Sequence, residues 1–231
     1  MARYLVTGGA GFIGSHLVSS LLRSGHETVA FDSLSTGRQT NLSDYQGNDR
    51  FHFVQASVLD ELAVDEAVRR SDVVVHLAAA VGVKLIVEQP LYSLTTNIRG
   101  AISVLQAAHR YRRKVLVTST SEIYGKNGVG PLSETADRIL GSPAVSRWAY
   151  STSKAVDEIL AYAYHRERDL PTIVVRLFNT VGPRQSPAYG MVIPRLVRQA
   201  LANEDLTVYG DGTQTRCFCH VTDAVEALIG L

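Results

Sequence analysis

The stretch Tyr4-Leu5-Val6-Thr7-Gly8-Gly9-Ala10-Gly11-Phe12-Ile13-Gly14 decides the fold. A short apolar run stops abruptly in glycines, and Phe12–Leu22 then repeats apolar residues at helical spacing. The glycines satisfy both the Gly-x-Gly-x-x-Gly and the Gly-x-x-Gly-x-x-Gly forms. Glycines alone signal only a tight turn, but a strand before them and an amphipathic helix after them say more. With no side chains at Gly8, Gly11 and Gly14, the backbone can approach a pyrophosphate. The helix N-terminus beside Phe12 and Ile13 then faces its charge. Asp32 ends the next apolar run, where an acid accepts hydrogen bonds from a ribose 2′-hydroxyl. A 2′-phosphate would meet its negative charge, so these residues favour NAD over NADP. The competing use of Asp32 is to cap a turn before Ser33.

Outward from this turn the chain alternates strand and helix. Thr28–Phe31, Phe51–Val54, Val73–Leu77, Val115–Thr118 and Ile173–Leu177 are short, nearly continuous apolar runs, as expected of parallel strands buried on both faces. Helical stretches lie around Leu62–Arg69, Leu94–His109, Ser151–Glu167 and Ile193–Ala202. This rhythm predicts an α/β chain, a Rossmann-type doubly wound parallel sheet with helices on both faces. The longest irregular stretch, Tyr124–Trp148, is long enough to suggest a functional loop. The 231 residues suit one such domain spanning 1–231, with room for only partial substrate-binding segments around 180–216.

With 23 basic against 22 acidic residues, no charge excess points to nucleic acid or an anionic membrane as partner. No apolar run reaches membrane-spanning length, and the apolar start reads as a first strand. Cys217 and Cys219 supply too few ligands for a structural zinc, so no metal is expected, and they read as two reduced thiols on one face of a strand. Cytoplasm follows as the default compartment.

Tyr150-Ser151-Thr152-Ser153-Lys154 places a tyrosine and a lysine at i and i+4 on one helix face. An unperturbed tyrosine, with a pKa of about 10, is a poor base at neutral pH. A neighbouring ammonium and a bound nicotinamide cation both favour the phenolate, which would let Tyr150 take a proton from a substrate hydroxyl.

The glycine fingerprint, His76-Leu77-Ala78-Ala79, Asn97, Thr118-Ser119-Thr120-Ser121-Glu122-Ile123-Tyr124-Gly125, Tyr150-x-x-x-Lys154 and Arg176-Leu177-Phe178-Asn179 occur in order along the chain. Together they resemble the extended short-chain dehydrogenase/reductases, the NAD-dependent nucleotide-sugar epimerases, dehydratases and decarboxylases. The resemblance implies that Leu77, Ala78, Ala79, Asn97, Tyr150 and Lys154 contact NAD, with Lys154 on the nicotinamide ribose. It implies that Thr120 hydrogen-bonds the reacting 4-hydroxyl of a UDP-sugar, and that Lys84, Asn179, Tyr209 and Arg216 bind the substrate. For Asn179 and Tyr209, ordinary loop packing is the other reading. Ser57 stands where the family generally has an adenine-binding Asp, which weakens that contact. Relatives pair helices equivalent to Leu94–His109 and Ser151–Glu167, so a homodimer is expected.

Glu122 is the residue that separates reactions. The Thr-Ser-Glu-hydrophobic-Tyr-Gly pattern resembles UDP-glucuronate decarboxylases and some dehydratases, whereas Ser121 replaces the Asp of the hexose 4,6-dehydratase Asp-Glu pair. UDP-glucuronate decarboxylation is therefore the first expectation, with 4-epimerisation of UDP-glucose or UDP-glucuronate as the alternative. A solvated loop-start role for Glu122 stays open. The chain stops at Leu231, inside a helix expected after Asp223, where the family resembled continues. A truncated or missing substrate lobe is expected on that ground, with a catalytically impaired NAD-binding protein as the second alternative.

Overall fold

Six strands form one fully parallel sheet in the order β3-β2-β1-β4-β5-β6, with β1 Arg3–Thr7, β2 Glu27–Asp32, β3 Phe51–Gln55, β4 Val73–His76, β5 Lys114–Thr120 and β6 Thr172–Leu177. This is the doubly wound order, whose direction reverses between β1 and β4. The computed structural model describes residues 1–128, 130–187 and 191–231, apart from the side chains of Val83 and Lys84.

The continuous apolar character of the strands has a direct cause. Leu5, Phe31, Val74, Val115 and Val117 point to one face, where they meet Val64 and Val68 of α2 (Glu61–Arg69), Val104 and Leu105 of α4 (Pro90–Tyr111) and Ala161 of α5 (Trp148–Arg168). Their neighbours Val6, Ala30, Val75 and Leu116 point to the other face. There they meet Leu17, Val18 and Leu21 of α1 (Phe12–Arg23) and Val221, Val225 and Leu228 of α7 (Val221–Gly230). Successive residues of a strand face opposite sides, so a sheet covered twice needs apolar residues at every position.

Local signals set the helix ends. Asp60 caps α2 by accepting from the Ala63 N–H at 3.1 Å, and Pro90 opens α4, where a missing N–H costs nothing. Gly11 begins α1 with no side-chain cap at all.

Several pieces have no periodic signature in the sequence. These are α3 (Val83–Glu88), 3₁₀ turns at Gln39–Tyr45 and Ser121–Tyr124, and a two-residue parallel pair of β7 (Thr180–Val181) with β8 (Cys219–His220), whereas α6 (Val192–Leu201) falls on the helix expected around Ile193–Ala202. The last corrects one expectation: Cys217 lies outside β8 and is exposed, so the two free thiols do not share a strand. Gly182, at φ 154°, turns the backbone immediately after β7 and keeps the pair short.

Candidate active site

A cavity of about 760 Å³ opens along the C-terminal ends of the strands, at the point where the sheet order reverses. The chain just beyond every strand of the main sheet reaches it: Gly8 after β1, Asp32 closing β2, Ser57 after β3, Leu77 to Ala79 after β4, Thr120 to Glu122 at β5 and Leu177 to Asn179 at β6.

The glycine turn is built so that only glycine fits. Gly8 sits at φ 71°, and a Cβ there would stand 2.9 Å from the Ala78 nitrogen. A Cβ on Gly14 would come within 2.1 Å of the Gly8 carbonyl oxygen. Gly11 differs, since its Cβ would meet only the Gly8 oxygen, at 3.1 Å, and otherwise enter open space at the cavity wall. The uncapped start of α1, lined by Gly11, Phe12, Ile13 and Gly14, therefore offers its N–H groups to an anion.

Asp32 does two things at once. Its Oδ2 accepts from Ala10 N–H at 3.0 Å and its Oδ1 from Leu34 N–H at 2.8 Å, so it braces both the glycine turn and its own turn. It also lines the cavity, and Gly37 packs so closely that a Cβ there would lie 2.9 Å from both carboxylate oxygens. Burial pushes its pKa above the ordinary carboxylate value, while the N–H groups of Leu34, Ala10 and Gly11 oppose the shift.

At the other end, Tyr150 and Lys154 rise from the first turns of α5, both buried and both on the cavity wall. Ser153 Oγ donates to the Tyr150 carbonyl at 2.8 Å, and Asn97 Nδ2 donates to Ser153 Oγ at 3.0 Å. Asn97 Oδ1 meanwhile accepts from Ala80 N–H at 2.7 Å. Asn97 thus differs from its expected role as a cofactor contact. Its amide is spent inside the wall, where it ties α4 to α5 and holds the Leu77–Ala80 strand end. His76, fully buried, hydrogen-bonds Thr7 Oγ1 through Nδ1 at 2.8 Å. Burial, aided by the Lys154 charge, pushes its pKa down to about 3, so the ring is neutral.

The protein alone does not make Tyr150 a base. Burial first, then the charges of Glu122 and Asp157, push its phenol well above the ordinary tyrosine value. The Lys154 ammonium that should oppose this donates to Asp157 Oδ2 at 2.8 Å.

Glu122 reaches the cavity from the 3₁₀ turn at Ser121–Tyr124. Thr120 Oγ1 starts this turn by accepting from the Glu122 N–H at 3.2 Å. Glu122 stands at the open rim yet has protein around most of its carboxylate. This partial desolvation raises its pKa, with Arg147 opposing. Arg176, quoted in the sequence pattern without a role, proves to be the clamp. It donates to both Glu158 oxygens (2.9 and 2.7 Å), to the Tyr124 hydroxyl (3.1 Å) and to the Glu134 carbonyl (2.9 Å). Helix α5, the Glu122 turn and the loop between them are joined through one guanidinium. No described residue of that loop, from Gly125 to Arg147, lines the cavity.

The substrate side is less complete. Asn179 lines the cavity, but its Nδ2 donates to the Cys217 carbonyl at 2.9 Å. Tyr209 and Arg216 are exposed and away from the cavity lining; the Tyr209 ring carries Arg195 at 4.6 Å, and Arg216 donates to the Thr215 carbonyl. The Lys84 side chain lies outside the described residues. Phe178, quoted in the sequence pattern without a role, and Arg184, not named in the sequence reading, also line the cavity, since loop residues carry no periodic signal.

A diphosphate cradle at one end of a cleft and a buried tyrosine–lysine pair at the other suit a dinucleotide held against a hydroxyl-bearing substrate. That is the arrangement of a short-chain dehydrogenase/reductase, and this domain is of that class. The chain belongs to the NAD dependent epimerase/dehydratase family, whose sequence profile matches residues 4–231. NAD is the cofactor of that family. The chain is 45% identical over 228 residues to a UDP-N-acetyl-alpha-D-glucosaminuronate decarboxylase of Bacillus cytotoxicus, covering 98% of this chain and 70% of that protein. It is 38% identical to UDP-glucuronic acid decarboxylase 1 of Xenopus tropicalis, of which it spans about half the length (53%) while 99% of this chain is covered. Among solved structures, the UDP-glucuronic acid 4-epimerase of Bacillus cereus, in complex with UDP-glucuronic acid and NAD, superposes with a TM-score of 0.88 at 34% identity. That match covers 98% of this chain and 72% of that one.

Proposed function

We propose that this chain carries the NAD site and the proton-transfer residues of a UDP-hexuronate decarboxylase. Supporting this is the presence of Glu122 in the same cavity as Tyr150, close enough for its charge to bear on the phenol. The two decarboxylase relatives add weight, one named for UDP-glucuronic acid and one for its 2-acetamido counterpart. NAD, when bound, supplies reversible hydride uptake from C4 of the sugar. Gly8, Gly11, Phe12, Ile13 and Gly14 would hold its diphosphate, Asp32 an adenosine ribose hydroxyl, and Lys154 the nicotinamide ribose.

Tyr150 accepts the proton of the 4-hydroxyl as the 4-ketone forms, with Thr120 orienting that hydroxyl. The ketone lies β to the C6 carboxylate, so the C5–C6 bond breaks with its electron pair delocalised into the ketone, and carbon dioxide leaves. Glu122, in its protonated form, would give C5 the proton that it takes up as carbon dioxide leaves. Tyr150 would give its proton back to the C4 oxygen when the ketone is reduced again. The segments around 180–216 supply only part of the substrate site in this reading.

The 4-epimerase reading is favoured by one observation, the likeness to the UDP-glucuronic acid 4-epimerase. The deciding experiment incubates the protein with UDP-glucuronate, its 2-acetamido counterpart and UDP-glucose, followed by product analysis. Glu122→Gln is expected to retain the first hydride transfer, seen as NADH absorbance, and to lose carbon dioxide release by on the order of a hundred-fold or more. UDP-galactose formed equally well from UDP-glucose by the original protein and by Glu122→Gln would replace decarboxylase with epimerase. We also infer a homodimer through α4 and α5, whose Leu91, Ile159 and Tyr162 are exposed, to be checked by sedimentation. Among the described residues no helix is long and apolar enough to cross a membrane.

A further inference from the structure

Tyr150, Lys154 and Asp157 follow one another at i, i+4 and i+7 along one face of α5, and we propose that Asp157 is a positioning residue for the Tyr150–Lys154 pair: it anchors the Lys154 ammonium in a buried ion pair and places a negative charge on the phenol's own face of the helix. The geometry is specific. Lys154 Nζ lies 2.8 Å from Asp157 Oδ2, with side-chain exposures of 3% and 0%. The two residues sit at i and i+3 on α5, so the helix itself fixes their approach. Asp157 Oδ1 is buried with no hydrogen-bond partner among the described residues, so the lysine is the only hydrogen-bonding group that carboxylate has.

Other ionisable groups near the lysine are spoken for. From β4, His76 is neutral. From β6, Arg176 is occupied by Glu158, the residue next to Asp157. From α4, Asn97 is uncharged and bonded elsewhere. From the 3₁₀ turn, Glu122 bears on Tyr150 alongside Asp157. Burial and Glu158 push the Asp157 carboxyl upward, and Lys154 opposes them.

An ammonium has three donors, so one bond to Asp157 leaves two for a ribose hydroxyl and the phenol. The anchor gives a long flexible side chain a single address. Its cost is a negative charge near the proton acceptor.

This rests on Tyr150 being the proton acceptor, and two measurements test it without any sugar. First, the phenolate absorbance of Tyr150 is titrated in the NAD-loaded protein, with Tyr150→Phe as the blank. Asp157→Asn keeps an acceptor for Lys154 but removes the charge, so the midpoint should fall by about one pH unit, a tenfold rise in phenolate at fixed pH. A midpoint that stays or rises overturns the proposal. Second, melting temperatures are compared for Lys154→Met and for Lys154→Met with Asp157→Asn. Lys154→Met strands a buried carboxylate and should lose roughly 5–10 °C, much of which the second change restores. This comparison holds even if Asp157→Asn alone does not fold. A double variant that melts no higher than Lys154→Met overturns the pairing. A titration indistinguishable from the Tyr150→Phe blank would instead sink the proton-acceptor reading, leaving the melting comparison to judge the anchor.

Discussion

Replacing Gly14 by alanine and replacing Gly11 by alanine should separate the two jobs of the glycine turn. At Gly14 the new Cβ would stand 2.1 Å from the Gly8 oxygen, 2.8 Å from the Gly8 carbonyl carbon and 2.9 Å from Gly9 Cα. All three are backbone atoms, and none can swing aside. A carbon and an oxygen in contact need more than 3 Å, so α1 must retreat by about 1 Å from the end of β1. That retreat loosens Leu17, Val18 and Leu21, each fully buried against the sheet. Overpacking of this kind costs about 1–3 kcal/mol. Alanine in a helix recovers up to about 1 kcal/mol over glycine. The net expectation is a loss of about 1–2 kcal/mol, roughly 2–8 °C in melting temperature for a chain of this size. NAD affinity falls as well, because the helix N-terminus has moved. Gly11→Ala meets only one atom, at 3.1 Å, and otherwise fills open cavity. It should leave the melting temperature within about 1–2 °C and still weaken NAD by tenfold or more, since the methyl occupies the diphosphate's approach. The assays are scanning calorimetry without cofactor and titration calorimetry with NAD. If Gly14→Ala melts at the original temperature, or Gly11→Ala binds NAD unchanged, the assignment of helix packing to one glycine and ligand approach to the other is refuted.

Asp32→Asn removes the charge but keeps only one of the two acceptors, turning an NH2 toward the Ala10 or the Leu34 N–H, so it should narrow the preference for NAD over NADP and cost about 1–3 kcal/mol of stability; a preference already absent in the original protein, measured by titration calorimetry, would contradict the ribose role. Tyr150→Phe should bind NAD with near-original affinity and show no NADH absorbance with UDP-glucuronate, and near-normal turnover would defeat the mechanism. His76 carries a pH signature. With its pKa at about 3 in the fold against an ordinary value near 6.5 in the unfolded chain, the unfolded state takes up the proton first as pH falls. Its neutral burial therefore stabilises fully above about 6.5 and is lost toward 3, by about 1.4 kcal/mol per pH unit. His76→Asn should flatten that acid slope in denaturant titrations between pH 6 and 4, and an unchanged slope would assign the acid sensitivity elsewhere.

The parallel sheet, the glycine turn and the spacing of Tyr150 and Lys154 are all legible in the sequence, because each is written in short-range pattern. Strands buried twice must be apolar at every position, a turn at φ 71° with a 2.1 Å approach admits only glycine, and residues four apart share a helix face. Side-chain partners chosen across the fold leave no such trace. Asn97 reads as a cofactor contact until α5 is packed beside it, 56 residues away in sequence, and Ser153 takes its amide. Arg176 is only one member of a pattern until the third dimension places Glu158, Tyr124 and the Glu134 carbonyl around its guanidinium. Tyr209 and Arg216, placed with the substrate by resemblance, stand outside the cavity because the segment carrying them is exposed. The direction of the Tyr150 shift also belongs to the tertiary structure: sequence supplies a lysine four residues on and an aspartate one helical turn beyond it, but only packing sets the depth at which the phenol and that ion pair are buried. What local sterics and periodicity dictate can be read along the chain; which charge meets which, and at what depth, is decided only when distant segments close on one another.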